Sequence, residues 1–140
     1  MEPPEDLDRD RPRRVYQPLD WSPDPAEVDA ALDRGAPGAG VAVIALALHH
    51  PDPHKVLPRV ARALAAADPN LRRQGVVALA HTARLHRTAD RRCLDLLRAH
   101  PRGNEADDDL WTYVPRHRLP AWLWRHHIAA AVRGRLGWTA

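Results

Sequence analysis

The side chains able to do chemistry in this chain are nine histidines, one cysteine, a run of carboxylates, and arginines interleaved with tryptophans near the C-terminus. Histidines hold zinc when their ring nitrogens converge from one helical face or one tight turn. Here His50 and His54 are separated by a proline break. His81 and His86 lie five residues apart, about 140° around a helix, and the neighbours His126 and His127 diverge. No glutamate-containing zinc motif accompanies them, so they are read as surface groups, and neither a metal nor a cofactor is expected. Cys93 sits among Leu94, Leu96 and Leu97, a setting for a buried thiol rather than a nucleophile. Glu105, Asp107, Asp108 and Asp109 lack the glycine turn and spaced ligands of a calcium loop, and carboxylates at a helix start are ordinary partners of its dipole. Ser22 is the only serine, and there is no glycine-rich phosphate loop. The residues therefore point away from an enzyme.

Residues 115–140 carry Arg116, Arg118, Arg125, Arg133 and Arg135 with Trp122, Trp124 and Trp138, and no carboxylate. That interleaving suits phosphate contacts with base stacking, or an anionic membrane surface. It suits equally a terminal helix docked through its tryptophans, its arginines solvated or paired with the carboxylates at 105–109. The second reading is the expectation, because arginine outnumbers lysine 20 to 1 across the whole chain and five more arginines are weak evidence. Interfaces concentrate their energy in aromatic and arginine anchors. On that ground Trp111, Tyr113, Arg116, Arg118 and Trp122 are the candidate partner-binding residues.

These groups must be positioned by helices. A chain of 140 residues fits one domain, able to bury about two-thirds of its unfolded surface without a staple. The lone cysteine and an acidic, proline-rich start with no basic-then-apolar signal suggest a cytoplasmic protein. The longest aliphatic run, 41–48, is far short of the roughly 18 residues a membrane span needs. Residues 1–23 hold five prolines and read as a flexible acidic arm, with Tyr16, Leu19 and Trp21 pinning its end to the first helix. Residues 24–114 read as the helical domain, and 115–140 as a basic, tryptophan-containing helix docked over its end as a cap.

Within the domain, Asp24 and Glu27 form a capping box for a helix from Pro25 to Arg34, closed by Gly35. A nearly all-apolar helix from Gly40 to His50 has no polar face and is expected deep in the core. Asp52 and Pro53 open a helix to Ala67, with Val56, Val60, Ala63 and Leu64 inward and Pro58 kinking or fraying its first turns. Asp68 and Pro69 open the next, to Leu85, with Leu71, Gly75, Ala78, Leu79, Thr82 and Leu85 inward. Thr88 caps a helix bearing Cys93, and Asn104 a short acidic helix that Pro115 ends. A last helix, 119–133, places Ala121, Trp124, Ile128 and Val132 on one face against the stack.

Residues 68–82, DPNLRRQGVVALAHT, resemble the first helix of a HEAT repeat. Asp68, Pro69, Leu71, Arg72, Ala78 and Leu79 match that pattern; Gly75 stands where alanine is usual, Ala80 for glycine and Thr82 for an aliphatic residue. The resemblance covers about residues 25–100. It implies an all-α fold, a short HEAT-like superhelix of about two helix pairs with flanking helices, in which Arg72 supports contacts between neighbouring repeats. Gly40 and Gly75 suggest a repeat of roughly 35 residues. Small bacterial proteins of this kind include immunity proteins and adaptors, so the function implied is a non-catalytic protein-interaction module, with an immunity protein neutralising a toxin as the specific form. The alternative is a nucleic-acid-binding HEAT-like protein using the basic C-terminal segment.

Overall fold

The computed structural model describes residues 21–137, and within them every element of regular structure is helical. In chain order these are α1 (Pro25–Asp33), α2 (Ala39–His49), α3 (Pro53–Leu64), α4 (Pro69–His86), α5 (Arg91–Leu97), α6 (Glu105–Tyr113), a 3-10 turn (Arg116–Arg118) and α7 (Ala121–Gly137). Most of the proline-rich arm, with Tyr16 and Leu19, lies outside the described residues, as does Trp138. Trp21 is half-buried against the core. No helix among the described residues is long and apolar enough to cross a membrane.

The local start signals work through side chains that satisfy amides the helix cannot. The Asp52 carboxylate accepts from the His54 amide at 2.9 Å, and Asp68 from the Asn70 amide at 3.1 Å, with proline next in each case. The Asn104 side chain accepts from the Asp107 amide at 2.9 Å. Two starts differ from expectation. Asp90 rather than Thr88 caps α5, accepting from the Cys93 amide at 2.8 Å, because the aspartate stands immediately before the first helical residue. Asp24 makes no side-chain cap bond; its carbonyl oxygen accepts from the Glu27 and Val28 amides instead, so no capping box forms. Asp68→Ala is expected to lower stability by about 1 kcal/mol, read as a fall in melting temperature at neutral pH. An unchanged melt would mean that other groups hold this helix start.

α4 is the centre of the fold, packed against α2, α3 and α6. Its small residues allow the close approach. A Cβ on Gly75 would lie 2.9 Å from the Leu64 amide nitrogen and 3.0 Å from the Ala63 Cβ, so α3 sits where even alanine would push it away. A Cβ on Gly40 would instead meet the Gln74 side chain on α4. The two glycines therefore face different neighbours. Thr82 is fully buried at an aliphatic position; its hydroxyl donates to the Ala78 carbonyl at 2.8 Å, which satisfies it inside the helix. Leu79 is enclosed, but Leu85 is 47% exposed where the pattern placed it inward. The helices packed on α4 leave that position of its last turn open to solvent.

α2 also departs from expectation. Ala39, Val43, Leu46 and Ala47 are buried, but Val41 and Leu48, seven residues apart, open to solvent. Even a nearly all-apolar helix needs only one covered face to be held, and α1, α3 and α4 supply that face. α3 continues through Pro58 without fraying; the missing amide leaves the His54 carbonyl without its helical donor, on an exposed side where water can reach it. α1 is tied to α3 by charge: Arg59 donates to both Asp29 carboxylate oxygens, at 3.0 and 2.7 Å, and Arg62 to Asp33 at 2.7 Å. The Arg59 hydrogen bonds hold the Asp29 carboxyl below its usual range, against the opposing effect of burial.

α7 docks by its first turns only. Leu119 and Leu123 are buried and Trp122 and Trp124 partly so, whereas every residue from 128 to 137 is exposed. Ile128 and Val132, expected against the stack, are thus exposed, and docking among the described residues is confined to the base of the helix. The reason is length: α7 has 17 residues, and the α6 surface beneath it is a helix of nine.

Candidate functional site

The joint between α6 and α7 gathers most of the chemistry-bearing residues, and it is built from a buried carboxylate outward. Asp107 is fully buried on the first turn of α6. Arg102 donates to its Oδ1 at 3.0 Å and the Gly103 amide to its Oδ2 at 2.9 Å. Gly103 has φ +80°, a left-handed conformation that glycine adopts without strain. The other Arg102 nitrogen donates to the carbonyls of Leu97 at 2.7 Å and His100 at 2.9 Å. Its guanidinium carbon lies 4.1 Å from the ring centroid of Trp122. A single arginine thus links the end of α5, the following loop, α6 and α7.

Trp111 forms the second half of the joint. Its ring meets Trp124 edge-on at 5.1 Å and stacks on His127 at 4.6 Å with planes 9° apart. Arg116 covers it at 4.3 Å. The Trp124 indole donates to the Arg116 carbonyl at 3.0 Å, and His127 Nε2 donates to the Asp107 carbonyl at 3.1 Å. These contacts combine apolar burial with ring quadrupole and cation attraction, and they fix the direction in which α7 leaves the body.

Of the five candidate anchors, Trp111 and Arg116 therefore face each other within this joint. Trp122 has one face against Arg102, and Arg118 is exposed on the 3-10 turn; both line an open groove beside α5. Tyr113 is half-buried at the end of α6 and belongs to neither group. The acidic cluster does pair with an arginine, but with Arg102. Among the described residues no ion pair joins those carboxylates to Arg116, Arg118, Arg125, Arg133 or Arg135. Sequence reading missed Arg102, Arg91 and Arg98. The only signal for Arg102 was an arginine followed by Gly103 and the Asn104 cap just ahead of a carboxylate. Arg72 and Arg73 line a smaller cleft, of about 430 Å³, with His100, Pro101 and Asn104.

Three other reactive groups, His50, His81 and Cys93, have internal contacts. His50 Nδ1 accepts from the Asp52 amide at 3.0 Å, and His81 lies 2.8 Å from Arg84. No group of three metal-ligating side chains converges among the described residues. The Cys93 thiol is fully buried and donates to the Leu57 carbonyl at 3.4 Å. Burial, and then the Asp90 carboxylate, push its pKa well up, so the thiolate needed for nucleophilic attack is suppressed. An aromatic disulfide reagent at mild alkaline pH is expected to leave Cys93 unmodified in the native protein and to label it once denaturant unfolds the chain. Rapid labelling without denaturant would contradict this burial.

The distal half of α7 is the exposed feature that the joint aims outward. Ile128 is 54% exposed and Val132 50%. Spaced four residues apart, they stand one above the other on a single helical face. Arg125, Arg133 and Arg135 accompany them on the same helix, with no carboxylate. Neither a protein-family model, nor a curated protein, nor a solved structure matches this chain.

Proposed function

We propose that the chain is a non-catalytic protein-interaction module that presents the distal half of α7 to its partner. The observation that carries this reading is the pair Ile128 and Val132, half-exposed on a helix whose base is held by the Trp111 stack and the Arg102–Asp107 pair. Apolar side chains on a preoriented helix suit an apolar groove, with little entropy lost on binding. The arginines flanking them favour a partner whose groove is rimmed by carboxylates. Following the HEAT-like resemblance, the module masks a protein partner, and an immunity protein blocking a toxin is the specific form proposed.

The competing class is nucleic-acid binding through the same arginines. The two classes separate by salt. Phosphate contacts release counterions and give a steep fall of affinity with salt, flattened when Arg116, Arg118, Arg125, Arg133 and Arg135 are replaced. The full chain is expected to leave labelled duplex and single-stranded oligonucleotides unbound near physiological salt, and to capture one defined protein from its native cell. Micromolar, salt-steep oligonucleotide binding, lost in a folded variant lacking those arginines, would replace this reading.

A further inference from the structure

The open groove at the foot of α7 has a volume of about 660 Å³. Arg91 and Arg98 border it from the α5 side, Arg118 from the 3-10 turn and Arg125 from the second turn of α7; Asp95 is the only carboxylate in the lining. None of these four guanidiniums makes an ion pair or hydrogen bond with another described residue. Three separate elements thus bring like charges around one open volume, and an entering anion would relieve their mutual repulsion. The floor is apolar: Leu94, Leu119, Pro120 and Ala121 line it beside Trp122.

We propose that this groove binds a short acidic segment of a protein partner, with carboxylates on the arginines and one aliphatic side chain on the floor. Guanidinium forks match the planar carboxylate and pair with it in two parallel hydrogen bonds. The apolar floor has no use for a bare anion, but it accommodates a side chain lying between two acidic residues. A single nucleic-acid strand fits less well, because it needs successive stacking platforms along a continuous positive track. Here there is one indole, with one face already covered by Arg102, and Asp95 interrupts the track. The inference rests on reading the chain as a protein-binding scaffold, but it concerns a different patch from Ile128 and Val132.

The test titrates the full chain with a fluorescein-labelled peptide of alternating glutamate and leucine, followed by anisotropy. The same peptide with lysine for glutamate, and a labelled oligothymidine, run in parallel. The acidic peptide is expected to bind, to weaken as salt rises, and to lose about tenfold in affinity in each of Arg98→Glu and Arg118→Glu, as for loss of a charge-assisted contact. Arg133→Glu, which changes the charge equally but outside the groove, should leave the titration unchanged. Circular dichroism establishes that each variant is folded, and Arg98→Gln and Arg118→Gln give a milder check in the same direction. Absence of acidic-peptide binding, equal loss in Arg133→Glu, or tighter binding of oligothymidine would overturn the proposal. Substitutions at Ile128 and Val132 should not move this titration, so failure of the groove and failure of the α7 reading give different results.

Discussion

Leu79→Asp is expected to abolish cooperative folding at neutral pH. Leu79 is fully enclosed on α4, the helix that α2, α3 and α6 all contact. A carboxylate there has no cation within the core cluster to pair with, and burying it unpaired costs several kcal/mol, a large part of the whole stability of a small domain. The measurement is thermal unfolding followed by far-ultraviolet circular dichroism. A variant that keeps the full helical signal and the original melting temperature would show that Leu79 is not where the fold places it.

The second large effect is expected at Asp107. Replacing it with alanine should cost about 3 kcal/mol, the lower end for breaking a buried ion pair. The lower end applies because Arg102 is partly solvated and keeps its bonds to the Leu97 and His100 carbonyls. Arg102→Ala should also destabilise, and the double variant should lose less than the two single losses combined, since both remove the same interaction. Chemical denaturation of the four proteins measures this. Additive losses would mean that the pair does not act as a unit. Intrinsic tryptophan fluorescence should shift in the Arg102 variant, because Trp122 loses the guanidinium over its ring.

Sequence made legible whatever is decided within a few residues. The Asp-Pro starts of α3 and α4, the Asn104 cap and the burial of Leu79 and Cys93 all follow from local hydrogen bonding and helical periodicity. The failures of burial have one physical source: periodicity shows which residues share a face, but not how far a neighbouring element covers it. Leu85, Val41 and Ile128 each belong to an apolar face, and each emerges where the neighbouring helix ends or leaves that face open. Asp24 and Thr88 had the right chemistry for caps and lost to a carbonyl and to a better-placed aspartate. At the site, the candidates Trp111, Arg116, Arg118 and Trp122 do cluster near one joint, but the indole of Trp111 turns inward. Arg91 and Arg98 come from α5 and reach the groove only through the tertiary fold, so no spacing in the sequence announces them.

The central claim is that the outer half of α7 is the recognition element. The most direct measurement is a calorimetric titration of the captured partner, purified, against the native chain and against Ile128→Glu and Val132→Glu. The account predicts that each substitution weakens binding by at least about 2 kcal/mol, a hot-spot effect. It also predicts stability changed by no more than about 0.5 kcal/mol, as for an exposed site. Full affinity in both folded variants would contradict it.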